Sequence, residues 1–450
     1  MSGVGVVVLA AGLGTRMRSR LPKVLHPVCG APMAWHVIEA ARALEPARIV
    51  VVTGHEAGRV EAALAADDVR FTRQEVLDGT AGAVRRCEGA LAGCETVVVL
   101  NGDAPLARAE TLRQLIAAAA GRPLAFAVCR VAAPGRMGRV VRSSDGEAAA
   151  VVEAAEYEGP DGPAEVNAGL YAFDAAWLWA HLPQVPMSAK GEYYLTHLVG
   201  LAAAEGRPAA TVTVSEDEAL GVDDRVKLAQ AEALMRRRIL ERHMLAGVTI
   251  EDPATTFIGA LAALGQDATV LAGSRIEGRS EVAEDAVIGP NTTLRNARIG
   301  RGTRVEASVI EDSAVGARCS VGPFAHIRGG AVVGDDCEVH NYAEIKNSRL
   351  GNGVKMHHFS YLGDADVGEG TNIGAGTITC NYDGVAKHRT VIGRGVFVGS
   401  DTMLVAPVRL GDGAFTATGS VVTRDVPPGG SVRGVPAKPF ERKERRPASP

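Results

Sequence analysis

The sequence predicts an α/β protein that combines two folds, a mostly parallel sheet with helices in the first half and a parallel β-helix in the second. In the first half, short β-branched runs alternate with alanine-rich amphipathic stretches, a pattern typical of βαβ units. Beyond about residue 250, aliphatic residues recur every five or six positions. Neither an α-helix nor a simple strand pair places every sixth residue on one face, whereas a three-sided β-coil does.

Composition supports a division into two folds. The 450 residues are enough for two or three domains. Glycine is more frequent after residue 250, with 29 residues against 24 before it, and all three tryptophans lie in the first half. We therefore expect one domain over 1–223, a linker over 224–247 and a second domain over 248–450.

Charge and cysteine content argue against several classes of protein. The formal net charge is −4, so the chain lacks the basic excess of a protein that binds nucleic-acid phosphates. The seven cysteines include no CxxC pair, which favours reduced thiols over disulfides or a zinc knuckle. The apolar run over 4–11 is far shorter than the ~20 residues of a membrane span. We expect a cytoplasmic protein without a membrane or nucleic-acid partner.

The first half contains the elements of a ligand-binding sheet. Apolar runs predict strands over 4–10, 49–54 and 97–103 and helices over 32–44 and 60–66. In parallel sheets, ligands bind beyond the carboxyl ends of the strands. We therefore expect functional residues in the loops after Leu9 and Leu100.

A long amphipathic segment without proline or glycine covers 224–246. Its acidic start predicts Asp223 or Asp224 as the N-cap, and Gly247 stands at its end. We interpret this segment as one helix that connects the two domains.

The β-helix is predicted from its inward-facing positions. These are 282, 288, 294, 299, 305, 310, 315, 321, 327, 333, 339, 345, 350, 356, 362, 367 and 373, then 392, 398, 404 and 410. A single large interruption over 377–390 separates positions 373 and 392 by 19 residues and contains the sequence CNYDG. Long loops in repeat folds are often functional, so we expect this one to belong to a site.

The loop after the first strand has the composition of a phosphate site. Gly12 and Gly14 allow backbone N–H groups to face phosphate oxygens, and Arg16 and Lys23 add positive charge. The loop lacks the third glycine of the dinucleotide fingerprint and the Gly-Lys-Ser/Thr ending of a P-loop. A tight turn alone would explain the two glycines, but not the Thr-Arg-Met and Pro-Lys sequences beside them.

A carboxylate stands at the end of the strand predicted over 97–103. Asp103 could simply start a turn, or it could bind Mg²⁺ beside a triphosphate, because Mg²⁺ takes one or two carboxylates together with phosphate oxygens. Asp223 is the candidate second ligand, although a role as a helix cap would explain it equally well.

Motifs along the chain resemble a known family. They are LAAGLGTRM (9–17), LPK (21–23), NGDAPL (101–106), MGR (137–139), VNAGL (166–170), GEYYLT (191–196), NIGAGTITCNYDG (372–384) and VGSDTMLVAPV (398–408). This set resembles the bifunctional N-acetylglucosamine-1-phosphate uridyltransferases/glucosamine-1-phosphate N-acetyltransferases of bacterial cell-wall precursor synthesis. The resemblance covers nearly the whole chain in the right order. It implies a Rossmann-like nucleotidyltransferase domain, a linker helix and a left-handed parallel β-helix of hexapeptide repeats.

For the first domain, the resemblance implies uridyl transfer from UTP to N-acetylglucosamine-1-phosphate with release of pyrophosphate. Such chemistry needs positioning and electrostatic stabilisation rather than a protein nucleophile. Arg16 and Lys23 would offset the charge that develops on the phosphates. The resemblance implies that Leu9, Ala10, Ala11 and Gly12 hold the uracil and ribose side, that Gln74, Gly79 and Thr80 read the uridine, and that Gly138, Glu153 and Asn167 contact the sugar. Asn101 and Gly102 are further implied substrate contacts, and Asp103 and Asp223 are the implied ligands of Mg²⁺.

For the second domain, the resemblance implies acetyl transfer from acetyl-CoA to glucosamine-1-phosphate. His358 would be the general base that takes a proton from the amine, since an imidazole titrates near neutral pH. The implied sugar-phosphate contacts are Arg328, Lys346, Tyr361 and Asn372, and the implied acetyl-CoA contacts are Ala375, Asn381, Tyr382, Ser400, Thr418 and Arg433. The product, UDP-N-acetylglucosamine, feeds peptidoglycan and lipopolysaccharide synthesis. The family's acetyltransferase sites lie between subunits, so we expect a homotrimer.

The sequence departs from the family pattern at four places. Asn101 stands where the family usually has tyrosine, and Asp223 replaces an asparagine but keeps an oxygen ligand. The sequence DGTAG over 78–82 replaces a Leu-Gly-Thr-Gly-His pattern. These changes at 101 and 78–82 bear on sugar and base selectivity. Near the C-terminus Gly434 replaces a basic residue, which leaves Arg433 or Lys438 to meet the CoA phosphate.

Three alternative functions fit the sequence less well than the bifunctional enzyme. A single-activity sugar-1-phosphate nucleotidyltransferase with a trimerising β-helix would carry a short, degenerate repeat without the CNYDG loop. A non-catalytic scaffold would not need the charged residues of the two sites. A zinc site of the kind found in γ-type carbonic anhydrases would use histidines of neighbouring subunits, for which the candidates are His326, His340 and His358.

Overall fold

The computed structural model describes residues 3–160 and 162–440. The chain divides into two compact units, one that ends at Met235 and one that begins at Arg236. The division falls within a long helix. Among the described residues, no helix combines the length and apolar character needed to cross a membrane.

The first unit contains eleven strands among its described residues. They are β1 (Val4–Ala10), β2 (Pro27–Val28), β3 (Ala31–Pro32), β4 (Arg48–Thr53), β5 (Val69–Arg73), β6 (Thr96–Asn101), β7 (Leu124–Val131), β8 (Arg139–Arg142), β9 (Ala148–Val152), β10 (Ala164–Asp174) and β11 (Ala210–Thr213). The helices are α1 (Met33–Arg42), α2 (Ala57–Leu64), α3 (Thr80–Arg85), α4 (Ala109–Ala119), α5 (Ala175–His181), α6 (His197–Ala204) and α7 (Arg225–Leu245), with 3₁₀ turns at Thr15–Met17, Lys23–Leu25, Gly89–Leu91 and Leu182–Gln184. The strands and helices predicted before residue 104 are all present, within a few residues of their expected bounds.

One mixed sheet organises this unit, in the strand order β11-β7-β10-β6-β1-β4-β5 with β8 and β9 attached through β10. Strands β5, β4, β1 and β6 are parallel, whereas β10 runs antiparallel to both β6 and β7. Val6 and Val8 pack into the core on one face of the sheet, and Val7 packs into the core on the other. Burial on both faces explains why β1 is a continuous apolar run rather than an alternating one.

Helix α7 begins at Arg225, and Asp224 is its N-cap. The Oδ1 atom of Asp224 accepts a hydrogen bond from the backbone N–H of Lys227 at 2.9 Å. Asp224 is therefore the N-cap of the two that the sequence predicted, and Asp223 does not cap the helix.

The second unit is a three-sided parallel β-helix, as the hexapeptide period predicts. The first face contains Thr249–Ile250, Thr269–Val270, Val287–Ile288, Arg304–Val305, Ser320–Val321, Glu338–Val339, Lys355–Met356, Asn372–Ile373, Phe397–Val398, Phe415–Thr416, Ser431–Arg433 and Lys438–Pro439. The second face contains Phe257–Ile258, Arg275–Glu277, Thr293–Arg295, Val309–Glu311, His326–Arg328, Ala343–Lys346, Ser360–Gly363, Ile378–Cys380, Met403–Val405 and Val421–Val422. The third face contains Ala263–Leu264, Glu281–Val282, Arg298–Ile299, Ala314–Val315, Val332–Val333, Arg349–Leu350, Ala365–Val367, Thr390–Ile392 and Val408–Leu410.

Every predicted inward position is buried, but the interruption is shorter than the sequence suggested. Thr379 takes the inward position after Ile373 and is 1% exposed, so the coil continues through Ile378–Cys380 before the loop begins. The repeat also begins earlier than the predicted series, with Ile250 and Ile258 buried inside. A search for aliphatic residues misses a polar inward residue such as Thr379.

Buried hydroxyl groups join successive coils. Thr303 is fully buried; its Oγ1 accepts a hydrogen bond from the backbone N–H of Cys319 at 2.9 Å and donates one to the carbonyl oxygen of Gly316 at 2.6 Å. Ser308 and Ser348 accept equivalent bonds from residues one coil later. Side-chain hydroxyls at the corners thus satisfy backbone groups that the strand ladders leave unpaired.

The Thr303→Val substitution tests this contribution. It removes the hydroxyl without changing the shape much, and it leaves the N–H of Cys319 unsatisfied, which should cost about 1–3 kcal/mol. Chemical denaturation of the full chain, followed by far-UV circular dichroism, measures the loss. Thr293→Val is the matched control, because Thr293 lies on a strand of the second face, next to the inward residue Leu294, and therefore points outward. Equal effects of the two substitutions would contradict the role given to the corner hydroxyls.

Candidate active sites

The cleft of the first unit lies at the carboxyl ends of β1 and β6. Parallel pairing places Leu9 beside Asn101, and the N–H of Gly102 donates to the carbonyl oxygen of Leu9 at 2.9 Å. The N–H of Val222 donates to the carbonyl oxygen of Asp103 at 2.8 Å. Asp223 is thereby brought next to the loop after β6, although more than a hundred residues separate the two in sequence.

This cleft has two adjoining parts, of about 540 and 610 Å³. The first part is lined by Leu9, Ala10, Ala11, Gly12, Lys23, Gln74, Gly79 and Thr80 among others. The second is lined by Arg16, Gly138, Glu153, Asn167 and Asp223 among others. Asn101 and Asp103 line both parts. Gln74 and Gly79, which the resemblance assigns to the uridine, line only the first part, and Gly138, Glu153 and Asn167, which it assigns to the sugar, line only the second. Leu9 and Thr80 line both parts, as Asp103 does.

Opposite charges are paired in the cleft. Lys23 Nζ contacts Asp103 Oδ2, and Arg16 contacts Asp223 Oδ2. Lys227 Nζ lies 3.2 Å from the other oxygen of Asp223. These pairs place two carboxylates and three cations in the cleft, with Lys227 supplied by α7.

Gly14 is required for the approach of Lys23. Its φ is +60°, and a Cβ atom at this position would lie 2.6 Å from Cβ of Lys23. Gly12, by contrast, has open space where a Cβ would be. The two glycines of the loop therefore have different functions, close packing at Gly14 and an open backbone in the cleft at Gly12.

The sequence DGTAG at 78–82, which departs from the family pattern, belongs to a hydrogen-bonded cluster beside the first part of the cleft. Arg86 donates to both carboxylate oxygens of Asp78, at 2.9 and 3.1 Å. A Cβ atom on Gly82 would lie 2.2 Å from Asp78 Oδ1, so the aspartate occupies space that a side chain at position 82 would need. Burial alone would raise the pKa of Asp78, but the hydrogen bonds from Arg86 and Gln74 outweigh it and lower the pKa, which keeps the carboxylate charged.

Gln74 is oriented by the same cluster. Its Nε2 donates to Asp78 Oδ1 at 2.8 Å and to the carbonyl oxygen of Gly79 at 3.0 Å. Both amide hydrogens are therefore used, and the side chain, which is 4% exposed, keeps its carbonyl oxygen as an acceptor.

Asn101 packs against a glycine in the second part of the cleft. A Cβ atom on Gly169, whose φ is +74°, would lie 2.2 Å from Asn101 Nδ2. The register of β10 shifts at this point, between Asn167 and Tyr171, and Asn167 donates to the Tyr171 hydroxyl at 2.5 Å. Asn101 therefore lies close above the irregular segment that presents Asn167.

Glu153 is a partly buried carboxyl in the same part of the cleft. Its Oε1 accepts a hydrogen bond from Thr196 Oγ1 at 2.8 Å. Burial raises the pKa of Glu153 above its ordinary value, and the Thr196 hydrogen bond only partly offsets this effect. The backbone N–H of Asn167 donates to the carbonyl oxygen of Gly138 at 2.9 Å, which ties two of the predicted sugar contacts together.

In the second unit, predicted acetyl-CoA contacts form one column along the β-helix. Met356, Ile373, Val398 and Thr416 are inward residues in register on the first face. His358, Ala375, Ser400 and Thr418 each lie two positions after one of these residues. With successive coils about 4.8 Å apart, the column runs about 14 Å from the histidine. His358 is exposed at one end of it.

Three cations gather on the second face. Arg328 and Lys346 are neighbours in register, and Lys387 approaches Lys346 from the loop of the interruption. The proximity of Lys387, and then of Arg328, lowers the pKa of Lys346. Lys387 could not be predicted from the sequence pattern, because a lone lysine in a loop belongs to no periodic motif. The only available sequence signal was its place three residues after the CNYDG string.

Tyr361 lies beside this cluster, whereas Asn372 does not. Gly363 is the neighbour of Lys346 in register, and a Cβ on Gly363 would lie 2.2 Å from the Tyr361 hydroxyl oxygen. Asn372 belongs to the first face, between Lys355 and Phe397 in register. One chain therefore does not bring all four predicted sugar-phosphate contacts to one face.

The loop of the interruption is fixed by its own polar contacts. Asn381 is buried and donates to Asp364 Oδ2 at 2.5 Å, while the hydroxyl of Tyr382 donates to the carbonyl oxygen of Gly384 at 2.7 Å. The backbone N–H of Ala386 and the His388 ring, together with the N–H of Val385, hold the pKa of Asp383 well below its usual range. Arg433, near the end of the β-helix, stacks its guanidinium on Phe440 at 4.8 Å.

Comparisons with known proteins agree with this division. Residues 6–172 match the MobA-like NTP transferase domain, and residues 257–349 match the GMPPB C-terminal domain. The protein is 45% identical to "Bifunctional protein GlmU" of Streptomyces avermitilis, over 94% of this chain and 90% of that protein. It is 44% identical to the protein of the same name from Shouchella clausii, over 95% of both chains, and 46% identical to that from Alkalilimnicola ehrlichii, over 94% and 92%.

The raised pKa of Glu153 gives a pH-dependent prediction. A carboxyl whose pKa is higher in the folded state than in the unfolded state favours folding below its unfolded pKa, and this contribution is lost as the pH rises through the folded value. At neutral pH the charged Glu153 carboxylate therefore lowers the stability of the folded state. Glu153→Gln should remove this destabilisation while keeping an oxygen acceptor for the Thr196 hydroxyl. We expect a higher unfolding temperature for the variant at pH 7 and no gain below the unfolded pKa of about 4.3. Glu147→Gln, at an exposed position, is the control; a gain for Glu153→Gln that does not depend on pH would contradict this account.

Proposed function

This chain belongs to the family of bifunctional GlmU proteins, and we propose that it makes UDP-N-acetylglucosamine in two steps, one in each unit. The β-helix transfers an acetyl group from acetyl-CoA to glucosamine-1-phosphate. The first unit transfers a uridyl group from UTP to N-acetylglucosamine-1-phosphate and releases pyrophosphate. The observation that carries this conclusion is the identity of 44–46% to the three GlmU relatives over at least 94% of this chain.

In the uridyl transfer, the nucleotide would occupy the part of the cleft that Gln74 lines and the sugar phosphate the part that Asn167 and Glu153 line. An oxygen of the sugar phosphate forms a bond to the α-phosphorus of UTP, and the bond from that phosphorus to the β-phosphate oxygen breaks. Negative charge then grows on the departing pyrophosphate. Arg16, which lines the second part, and Lys23, which lines the first part and contacts Asp103, stabilise this charge. Such stabilisation is the main way in which proteins catalyse phosphoryl-type transfers.

Mg²⁺ is the metal that we propose for this cleft. Asp103 and Asp223 provide two hard oxygen ligands on segments held together by the Val222 hydrogen bond, and their side chains are 22% and 16% exposed. The residues present therefore fit the ion. An Mg²⁺ ion bound there would neutralise the negative charge of the phosphates, which the two carboxylates would otherwise repel.

In the acetyl transfer, His358 would take a proton from the substrate amine, and the nitrogen would attack the thioester carbonyl with departure of the CoA thiolate. Arg328, Lys346 and Lys387 would bind the sugar phosphate. The column of Ala375, Ser400 and Thr418 would hold the extended arm of acetyl-CoA so that its thioester ends near His358.

We propose a homotrimer assembled through the β-helix. Phe324, Tyr342 and Phe359 each lie three positions after an inward residue of the first face, and all three are at least 53% exposed. The rings of Phe324 and Tyr342 stack at 5.2 Å. An exposed aromatic column beside the proposed acetyltransferase site is typical of a surface that another copy covers. The seven free cysteines are consistent with a cytoplasmic protein.

A coupled assay tests both activities. With glucosamine-1-phosphate, acetyl-CoA, UTP and Mg²⁺, the wild type should release CoA and pyrophosphate, which are measured separately. His358→Ala should lower CoA release by about 100-fold or more and leave pyrophosphate release from supplied N-acetylglucosamine-1-phosphate unchanged. Asp103→Ala should do the reverse. His326→Ala is the histidine control. Absence of either product from the wild type, or equal loss of both in each variant, would overturn the proposal.

Asp78 is proposed as a positioning residue for nucleobase selection. If it fixes Gln74 as an acceptor, Asp78→Ala should raise KM for UTP and reduce the preference for UTP over CTP, because uracil presents an N–H where cytosine presents an acceptor. Asp68→Ala is the matched control, since Asp68 also forms a two-pronged pair with an arginine, Arg42, but lies outside the residues that line the cleft. A fall in kcat for both nucleotides without a change in their ratio would indicate only a structural role.

A further inference from the structure

We infer that Glu338, His340 and His357 form a binding site for a divalent transition-metal ion of the Zn²⁺ type on the β-helix. Each of these residues offers one ligand atom, and the three atoms all lie within 4.8 Å of one another. Among the described residues of the chain, this is the only set of three or more His, Cys, Asp or Glu side chains with that property.

The fold creates this cluster by stacking two coils. Glu338 is the neighbour of Lys355 in register, and Val339 is the neighbour of Met356. The N–H of His340 continues this ladder to the carbonyl oxygen of Met356 at 2.8 Å, so His340 and His357 occupy equivalent positions one coil apart. Their rings are nearly parallel, with centroids 5.0 Å apart. The backbone thus holds both imidazoles in place without help from a flexible loop.

The ligand set selects the class of metal. Two imidazoles and one carboxylate suit Zn²⁺ and neighbouring transition metals, whereas Mg²⁺ prefers oxygen ligands and several waters. Three protein ligands also leave a coordination position for water. The site therefore differs in chemistry from the pair of aspartates proposed for Mg²⁺ in the first unit.

The present contacts are those expected of a metal site before the ion binds. His357 Nε2 lies 2.6 Å from Glu338 Oε2, so nitrogen and oxygen already face each other. His340 Nε2 lies 3.1 Å from Ser320 Oγ, a polar partner of the kind that orients metal-bound imidazoles. Lys355 Nζ lies 3.1 Å from Glu338 Oε1. A bound metal ion would either displace this ammonium group or share the carboxylate with it.

Of the three histidines that the sequence suggested for zinc, only His340 belongs to this set. His326 belongs to the second face and lies 3.4 Å from Glu311, and His358 is not part of the cluster. The available sequence signal was the spacing of 17 residues between His340 and His357, which equals one coil. A site within one chain also needs no histidine from a neighbouring subunit.

The test is Zn²⁺ binding to the full-length protein, measured by competition with a chromophoric chelator in excess Mg²⁺, which saturates oxygen-only sites. We expect one tight Zn²⁺ per chain in the wild type. His340→Ala, His357→Ala and Glu338→Gln should each weaken binding by at least about tenfold. His326→Ala is the matched control, because His326 and His357 have side chains exposed by 41% and 40%.

Two further readouts separate loss of ligands from loss of fold. Zn²⁺ should raise the unfolding temperature of the wild type and of His326→Ala, but not that of His357→Ala, because only a protein that binds the ion in its native state is stabilised by it. Co²⁺ in place of Zn²⁺ should give an absorption spectrum that changes in Glu338→Gln. Absence of tight Zn²⁺ binding in the wild type, or binding that is unchanged in all three cluster variants, would overturn the inference.

Discussion

Parallel strand pairing in a fixed register is the interaction on which both sites depend. In the first unit it sets Leu9 beside Asn101, so the loops that follow β1 and β6 open at the same edge of the sheet. In the second unit it stacks each coil on the one before it, so residues 16 to 18 positions apart become neighbours. Backbone hydrogen bonds thereby bring together side chains that are far apart in sequence. This placement does not depend on contacts between the side chains themselves.

The two sites differ in how their charges are balanced. In the cleft, the cations Arg16 and Lys23 are paired with carboxylates, so a bound triphosphate would add negative charge that the protein alone does not offset. On the β-helix, Arg328, Lys346 and Lys387 stand together, and Glu344 is paired with Arg328. Such a cluster can accept one phosphate monoester directly. The difference explains why a divalent cation is proposed for the first reaction and none for the second.

Most of the fold could be predicted from the sequence because buried apolar residues recur at regular intervals along the chain. Inward residues of the β-helix recur with the coil, and the apolar run of β1 reflects burial on both faces of its sheet. Polar residues with structural functions do not follow a regular pattern of this kind. Thr379 fills an inward position, Thr303 joins two coils, and Lys387 approaches Lys346 from a loop; each depends on what lies one coil away. Local patterns along the chain cannot show that dependence.

The departures from the family pattern are explained by compensation between neighbouring residues. Asp78 takes the space above Gly82 and is paired with Arg86, so the changes within 78–82 are one coordinated replacement. Asn101 similarly lies against Gly169, where its short amide fits the bulged strand. Since these substitutions leave Gln74, Lys23 and Asp103 in the cleft, they alter the walls of the cleft while preserving the charged groups that we propose act on the reacting phosphates. A change in selectivity is therefore a more direct consequence of these departures than a loss of the reaction.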